Sequence, residues 1–343
     1  YAWMRNSFAT HAVVHLGKHG NLEWLPGKAL ALSNACFPQA ILGAVPHLYP
    51  FIVNDPGEGT QAKRRTSAVI VDHLTPPLAR AESYGTLQEM EQLVDEYAAA
   101  AGLDPRRLDI LATDILSHAR KLGLDEDCGI LKDEPVESAL RKLDAHLCDI
   151  KEMQIRDGLH IFGASPEGDQ RIDLLLSLVR TPRLGRDSLL RALSRDLELG
   201  FDPLDCGFAD SWTGPRPGML AMLLDQPWRT KGDTVERLEI LARSLIAGER
   251  KAQAGWSFAQ AVLDEVATRI APALDACGSR EMEMLRKGLA GRFVPPGPSG
   301  APTRGRPDVL PTGNNFYSVD TRSVPTPAAW HLGWKSASLL IER

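Results

Sequence analysis

The sequence near the start of the chain reads Ala12-Val13-Val14-His15-Leu16-Gly17-Lys18-His19-Gly20-Asn21-Leu22-Glu23-Trp24-Leu25-Pro26-Gly27-Lys28. His15, His19 and Glu23 recur every four residues, a spacing that would place them on one face of a helix. Two glycines interrupt this spacing, and each costs about 1 kcal/mol in a helix interior relative to alanine. The β-branched residues before them favour a strand. We therefore predict a strand that ends near Leu16, followed by a turn that presents the two histidines and the glutamate.

Imidazole and carboxylate groups on such a turn can bind a metal ion or move protons. The alternative is that each histidine is an ordinary polar residue with a hydrogen-bond partner, since the H-x3-H-x3-E spacing is weak evidence by itself. The intervening glycines, lysine and asparagine would form a poor core and a good binding loop. The composition of the turn therefore favours a site.

Length and composition indicate an ordinary folded protein. The chain has 343 residues, enough for about two domains, with 43% hydrophobic and 24% charged residues. A formal net charge of −5 gives no basic field, so nucleic acid is not an expected partner. The sequence contains no uninterrupted apolar stretch of about 20 residues and no signal-peptide pattern, so no membrane span is expected.

The cysteines and the two ends of the sequence support two further expectations. The five cysteines are scattered and form no C-x2-C pair, which argues against a disulfide framework or a cysteine zinc site and fits a reducing cytoplasm. The sequence starts at Tyr1 and stops at Arg343 within a helical pattern. We therefore expect a piece of a larger protein.

A second segment, residues 48–72, has the features of a strand, a turn and a helix. Residues 48–53 are apolar and predict a strand, and the turn that follows is Asn54-Asp55-Pro56-Gly57-Glu58-Gly59-Thr60. Residues 61–72 are amphipathic and predict a helix capped by Thr60. Free N–H groups at a helix start suit an anion. The G-x4-G-K-[ST] pattern of a P-loop is missing, so ATP binding is not expected here.

Four charged residues of this segment are candidate binding groups. Glu58 lies between two glycines, which leaves it open to a ligand, although it would also interact favourably with a helix N-terminus. Lys63, Arg64 and Arg65 are predicted in the first turns of the helix, where basic groups can pair with carboxylates. A solvated basic face is the alternative interpretation of these three residues.

The patterns along the chain predict an α/β fold that is predominantly helical. We divide the chain into an α/β portion over residues 1–85, a mainly helical region over 86–292, and a Pro/Gly-rich loop with a closing helix over 293–343. Caps and a 3.6-residue period predict helices at 86–101, 106–122, 135–156, 170–179, 187–199, 233–246, 257–276 and 279–289. His160, in a short apolar stretch between helices, is predicted to be a buried structural histidine.

The Pro/Gly-rich residues 293–313 have the composition of a linker. The aromatic and amide-rich residues 312–320 that follow are irregular without being low in complexity. Since a long ordered loop in a compact protein is usually functional, we predict that this loop binds an acidic, partly apolar ligand. The residues that it would offer are Arg304, Arg306, Asn314, Asn315 and Tyr317.

Several segments together resemble one known family. They are residues 15–28, Pro46-His47-Leu48-Tyr49-Pro50, residues 54–65, His73-Leu74-Thr75-Pro76-Pro77 and Gly313-Asn314-Asn315-Phe316-Tyr317-Ser318-Val319-Asp320. In this order they resemble the large subunits of aerobic cobaltochelatases, a family shared with the H subunit of magnesium chelatase. Lys18 and the Asn-Leu-Glu-Trp-Leu run resemble the cobalt branch. The magnesium branch tends to have threonine at position 18, in place of the lysine, and Asn-Pro-Ser-Glu-Ala-Thr at positions 55–60.

The resemblance implies an activity and a set of partners. The activity is that of a ligase forming nitrogen–metal bonds, which inserts Co²⁺ into hydrogenobyrinic acid a,c-diamide during cobalamin biosynthesis. The large subunit would bind the tetrapyrrole and the metal, while two smaller AAA+ subunits hydrolyse ATP with Mg²⁺. Family members are several times longer than this chain, so we expect activity only within the full subunit and its complex, in the cytoplasm.

The chemistry of metal insertion suggests a role for each candidate residue. The ion must lose water and be held over the ring, and protons must leave the ring nitrogens. Imidazole suits Co²⁺, so His15, His19 and Glu23 are the predicted transient metal ligands. Glu23, Glu58 and His19 are the predicted catalytic groups, with the carboxylates as proton acceptors. The predicted substrate-binding residues are Trp24, Lys63, Arg64, Arg65, Arg304, Arg306, Asn314, Asn315 and Tyr317.

Three other functions remain open at this stage. A magnesium chelatase of this family would insert Mg²⁺ into protoporphyrin IX through its H subunit. A non-catalytic tetrapyrrole-binding module would bind the ring without needing the histidines and Glu23. A metal-dependent hydrolase would use the same three groups but would retain its metal.

Overall fold

A computed structural model describes residues 1–17, 20–30, 32–76, 78–80, 90, 93–94, 97, 105–131, 134–152, 154–156, 159–183, 185–317 and 327–342. The architecture is mixed α/β and rich in helix, in agreement with the predicted class. The chain forms two compact units that are interleaved in sequence. The first contains Tyr1–Pro76, Gly158–Glu167 and Thr268–Arg343, and the second contains Pro77–Asp157 and Gly168–Ala267. The predicted segments, by contrast, are consecutive.

The strands are β1 (Val13–Val14), β2 (His47–Ile52), β3 (Val69–His73), β4 (Leu78–Arg80), β5 (Gln154–Arg156), β6 (Pro296–Pro298) and β7 (Asn315–Tyr317). The first three helices are α1 (Ala2–Asn6), α2 (Phe37–Leu42) and α3 (Pro56–Thr66). Further α-helices cover Pro105–Leu122, Leu124–Asp127, Val136–Glu152, Gly168–Arg180, Leu189–Asp196, Gly218–Ala221, Lys231–Ile246, Ser257–Glu265, Ala271–Asp275, Cys277–Leu289 and Pro327–Ile341. Within the part of the chain that the structure describes, no helix is both long and apolar enough to cross a membrane.

The first unit is organised around a parallel sheet in the order β1-β2-β3. Every residue of β2 is buried, as expected for a central parallel strand that is covered on both faces. On one side, Tyr49 and Phe51 pack with Ala62 of α3 and with Phe316 of β7. The predicted strand at residues 48–53 is therefore present, one residue earlier.

The predicted helix at residues 61–72 is wrong in its bounds. Helix α3 begins at Pro56, because proline is favoured at a first helical position, and it ends where Ser67 adopts a left-handed φ of 51°. The β-branched residues that follow form β3, which pairs with β2 from Leu48↔Val69 to Ile52↔His73. Glu58 consequently lies in the first turn of α3. The three basic residues lie in its last turn, not in the first turns as predicted.

Buried carboxyl groups attach distant segments of the first unit to β3. Oδ1 of Asp72 accepts hydrogen bonds from the backbone N–H groups of Gly313 at 2.7 Å and Asn314 at 2.6 Å. The carboxylate of Glu281 accepts four hydrogen bonds, from the backbone N–H groups of Leu74 and Gly163, the Thr312 hydroxyl and His160 Nε2, at 2.7–3.0 Å. His160 is therefore a buried structural histidine, as predicted. These bonds fix the start of β7 beside the sheet.

The second unit is mainly helical. Its helices at Pro105–Leu122, Gly168–Arg180 and Lys231–Ile246 lie within two residues of the predicted bounds. The helix predicted at 135–156 ends at Glu152, and the next residues form β5, which pairs with β4. The helix predicted from residue 233 begins at Lys231 instead, after a capping box formed by Thr230 and Asp233. The predicted helix at 86–101 falls largely outside the described residues.

Two helices near the end of the chain also bear on the predictions. The helix predicted at 257–276 is interrupted by a π-helical turn at Val266–Ile270, before Pro272. The closing helix is present at Pro327–Ile341.

Candidate functional site

Two histidines and a tyrosine meet where β1 ends against β2. His15 follows β1, while His47 and Tyr49 lie two residues apart in β2 and therefore share a face of the sheet. The ring centroid of His15 lies 5.3 Å from that of His47 and 5.3 Å from that of Tyr49. The hydroxyl of Tyr1 lies 2.9 Å from His15 Nε2. The parallel register thus assembles an aromatic, polar cluster at this edge.

Glu23 lies under this cluster, in a short 3₁₀ helix at Leu22–Trp24. Its side chain is fully buried, and the Tyr49 hydroxyl donates to Oε1 at 3.4 Å. Gly20 makes this approach possible, because a Cβ atom there would lie 2.5 Å from Oε1 and 2.8 Å from the tyrosine oxygen. Burial, followed by the charges of Glu23 and Glu58, raises the pKa of Tyr49, so the phenol remains a donor at neutral pH.

Three buried polar atoms of the cluster lack a hydrogen-bond partner among the described residues. They are Nδ1 of His15, Oε2 of Glu23 and Nε2 of His47. Buried groups of this kind are rare in folded proteins and call for an explanation, such as a bound ion or water. Burial, helped by His15, lowers the pKa of His47 to about 4, so this imidazole is neutral at pH 7. The cluster therefore offers imidazole nitrogen and carboxylate oxygen atoms that could bind a metal ion.

The predicted ligand set is only partly described. His15 and Glu23 both contribute to the cluster, whereas Lys18 and His19 lie outside the described residues. Within the described ranges, no three His, Cys, Asp or Glu side chains are arranged to hold a metal ion. The structure therefore shows two of the predicted ligands in contact with Tyr49, without a complete metal site among the described residues.

Arg65 has a structural role that the sequence did not suggest. Its guanidinium donates to the main-chain carbonyl groups of Glu23 at 2.6 Å, Leu25 at 2.5 Å and Lys28 at 3.1 Å. Arg65 is buried and joins the last turn of α3 to the loop that carries Glu23. Because Arg65 is buried and each of its three guanidinium nitrogens bonds to this loop, we remove it from the substrate-binding set.

Lys63 and the predicted loop residues meet at β7. Lys63 Nζ donates to the main-chain carbonyl of Phe316 at 2.6 Å, and Asn315 Oδ1 accepts from the backbone N–H of Ile70 at 3.2 Å. The amide of Asn314 is buried, accepting from Arg280 and donating to the Pro311 carbonyl. Lys63, Asn314 and Asn315 are thus brought together, in contacts that hold the loop to the sheet.

The remaining predicted residues are distributed over the surface of the first unit. Arg64 and Arg304 are exposed, and Arg306 forms a bidentate ion pair with Asp308 at 2.8 and 2.9 Å. Trp24 is 55% exposed, and Tyr317 and Glu58 are half-buried. The negative charge of Glu58 contributes to raising the pKa of Tyr49, and in this way Glu58 acts on the cluster.

Sequence reasoning assigned no role to His47, Tyr49 or Tyr1. The spacing of His47 and Tyr49, two apart in a predicted strand, indicates a shared face. That spacing does not reveal which neighbouring strand lies beside them. Tyr1 lies 14 residues before His15, outside every predicted motif.

A scan against known protein families finds that the family model described as CobN/Magnesium Chelatase matches residues 1–343. The chain belongs to this family. Among curated CobN relatives, the aerobic cobaltochelatase subunit CobN of a Sinorhizobium species is 60% identical over the whole chain. The subunit of the same name from Pseudomonas aeruginosa is 55% identical, also over the whole chain. The magnesium-chelatase H subunit of Chlorobaculum parvum is 30% identical, again over the whole chain and over 27% of its own length.

A solved structure supports the same relationship. The catalytic subunit of cobaltochelatase from Mycobacterium tuberculosis superposes with a TM-score of 0.77 at 43% sequence identity, over 96% of this chain and 28% of that one. This chain spans 29% and 28% of the lengths of the two CobN subunits. The match covers both units of the fold described above.

Proposed function

We propose that this chain is the metal- and tetrapyrrole-binding part of an aerobic cobaltochelatase, which inserts Co²⁺ into a corrin-ring precursor during cobalamin biosynthesis. The observation that supports the proposal is that Glu23 and His15 both contact Tyr49, while Oε2 of Glu23 and Nδ1 of His15 are buried and unpartnered among the described residues. The identity of 60% and 55% to CobN subunits, against 30% to a magnesium-chelatase H subunit, favours cobalt.

In the proposed reaction, Glu23 accepts a proton from a ring nitrogen as the metal enters. Oε1 accepts a hydrogen bond from the Tyr49 hydroxyl. This bond orients the carboxylate and leaves Oε2 to take the proton. Glu58, in the first turn of α3, is the second proposed proton acceptor. His15, with the predicted His19, offers imidazole nitrogen to Co²⁺, an ion that accepts such ligands readily.

The ring would be held by groups on the surface of the first unit. Arg64, Arg304 and Arg306 are exposed and can pair with its peripheral carboxylates, Arg306 by exchanging its surface ion pair with Asp308. Trp24 and Tyr317 offer aromatic surface to the ring face. The proposed substrate is hydrogenobyrinic acid a,c-diamide.

Two smaller AAA+ subunits are the proposed partners, and they would hydrolyse ATP with Mg²⁺. This division of labour is consistent with the missing P-loop motif. A reducing cytoplasm is the proposed location, supported by the free thiols of Cys36, Cys128 and Cys277.

The test compares Glu23→Gln with wild type in the complete subunit, using ring binding and cobalt insertion with the ATPase partners as separate measurements. We expect Glu23→Gln to bind hydrogenobyrinic acid a,c-diamide with unchanged affinity and to insert cobalt about 10²–10⁴-fold more slowly. Glu283→Gln, at an exposed ion pair with Lys287, is the matched control. Full activity of Glu23→Gln would overturn the assignment, and preferential binding of protoporphyrin IX would favour the magnesium branch.

A further inference from the structure

The hydrogen bonds around His47 fix the position of its proton. The Thr66 hydroxyl donates its single hydrogen to the main-chain carbonyl of Ala62, at 2.8 Å within α3. The contact of 2.9 Å between His47 Nδ1 and Thr66 Oγ1 must therefore have the imidazole as donor. The neutral ring carries its hydrogen on Nδ1, and its lone pair is on Nε2.

That lone pair lies in the interior of the candidate site. His47 is 3% exposed, and Nε2 has no partner among the described residues. The imidazole of His15 lies close by, with centroids 5.3 Å apart, and its Nδ1 is likewise buried and unpartnered within the described ranges. Two histidines on adjacent parallel strands thus have unpartnered nitrogens within one cluster.

We propose that His47 is a specificity-determining metal ligand, whose Nε2 acts with His15 to favour cobalt over magnesium; this inference rests on the proposed function. Metal-bound histidines commonly donate their other ring N–H to an oxygen acceptor that fixes the tautomer, and Thr66 provides this acceptor. Imidazole nitrogen suits first-row transition metals, whereas Mg²⁺ prefers oxygen ligands and retains its water. An imidazole pair with buried, unpartnered nitrogens therefore selects an ion that exchanges water for nitrogen.

Thr66 is a positioning residue in this proposal. Its hydroxyl accepts from His47 while its own hydrogen goes to the helix, so α3 determines which nitrogen faces the site. Replacing threonine with valine preserves the shape of the side chain and removes the acceptor. The imidazole would then be free to carry its hydrogen on Nε2, where it blocks metal binding.

The experiment measures metal affinity in the complete subunit rather than activity. Co²⁺ is titrated into wild type, His47→Asn, Thr66→Val and His118→Asn, with binding followed by the visible d–d absorption and Mg²⁺ added as competitor. His118 is the matched control, since it lies in the second unit, in the helix at Pro105–Leu122, where its Nδ1 bonds to the main-chain carbonyl of Asp114. We expect His47→Asn to weaken Co²⁺ binding by at least the roughly 10–100-fold that loss of an outer-shell partner costs, with Mg²⁺ binding unchanged.

Thr66→Val should give a smaller loss of Co²⁺ affinity, because the imidazole remains. If His47→Asn does not fold, two measurements replace it. They are the Co²⁺ affinity of Thr66→Val, and nitrogen NMR of histidine-labelled wild type, which shows which ring nitrogen of His47 carries the hydrogen. A neutral His47 protonated on Nε2, or Co²⁺ affinity and spectrum unchanged in a folded His47→Asn, would overturn the inference while leaving the proposed function intact. Wild type that binds neither Co²⁺ nor the corrin precursor would overturn both.

Discussion

Arg65 Nη1 donates a hydrogen bond of 2.6 Å to the main-chain carbonyl of Glu23, 42 residues earlier in the chain. The remaining nitrogens of the guanidinium bond to the carbonyl groups of Leu25 and Lys28. The last turn of α3 therefore holds the loop that carries the candidate proton acceptor. The position of the Glu23 carboxylate therefore depends on Arg65, although Arg65 bonds to the main chain of the loop and not to the carboxylate itself.

Arg65→Lys is expected to destabilise the protein far more than Arg64→Lys. One ammonium group cannot reach three carbonyls, and each buried acceptor left unpaired costs about 1–3 kcal/mol. We expect a loss of about 2–4 kcal/mol in the free energy of unfolding for Arg65→Lys, against less than about 0.5 kcal/mol for the exposed Arg64→Lys. Urea denaturation of both variants provides the measurement. Equal values would refute the structural role of Arg65.

Gly20→Ala is expected to slow cobalt insertion. The added Cβ atom would lie 2.5 Å and 2.7 Å from the two carboxylate oxygens of Glu23, so the carboxylate must move. We expect a rate at least about 10-fold lower, since small displacements of a reacting group are costly. Gly57→Ala is the control, because its Cβ atom would meet only Asp55 Oδ1, at 4.0 Å. Equal insertion rates in the two variants would argue against a reacting position for Glu23.

Asp72 is expected to make stability fall as pH rises. Burial raises the pKa of its carboxyl group to about 8, although the N–H groups of Asn314 and Gly313 act in the opposite direction. An unfolded aspartate ionises near about 3.9, so between about pH 4 and 8 only the folded state keeps the proton. The stabilisation is complete below about pH 4 and is lost as the pH approaches 8.

The measurement is urea unfolding of wild type and Asp72→Asn at pH 5 and pH 8. Asparagine mimics the protonated acid at all pH values, so other titrating groups cancel in the comparison. From pH 5 to pH 8, wild type should lose about 2–4 kcal/mol relative to Asp72→Asn. Parallel pH profiles for the two proteins would show that Asp72 is ionised in the folded state throughout this range.

Glu281→Gln is expected to loosen the attachment of β7 and of residues 160–163. The carboxylate accepts four hydrogen bonds, and an amide nitrogen in place of one oxygen would face donors instead of accepting from them. We expect a loss of about 2–4 kcal/mol in unfolding free energy. Glu283→Gln, two residues away and 54% exposed on its side chain, should change it by less than about 0.5 kcal/mol. A similar small change in both variants would contradict this role.

Local patterns predicted the elements whose boundaries depend on local chemistry. The helix at Pro105–Leu122 and the strand at His47–Ile52 follow from periodicity and an apolar run. The error at residues 61–72 has a physical cause. An amphipathic pattern at residues 61–66 continues into a β-branched run, and pairing with β2 stabilises the extended conformation that these residues favour from Val69.

Sequence could predict only some members of the candidate cluster, because the others come from a different strand. His15 and Glu23 have residue types and spacing suited to metal insertion, and the structure places both at one cluster. The partners of that cluster, His47 and Tyr49, come from a different strand. Arg65, predicted to meet a ligand, bonds to the loop instead, because a charge run in sequence does not reveal which backbone carbonyls lie within its reach.

The sequence by itself determined the chemistry available to this protein: the family motifs, the histidine and carboxylate donors of residues 15–23, and the helical periods of the second unit. Only the tertiary structure decided which of those groups meet. The register of β1 against β2 places His15 beside His47, and α3 supplies Thr66 and Arg65 to orient the imidazole and the loop. Side-chain types are local properties, whereas unpartnered buried atoms and fixed tautomers arise only when distant segments exclude water from the same small volume.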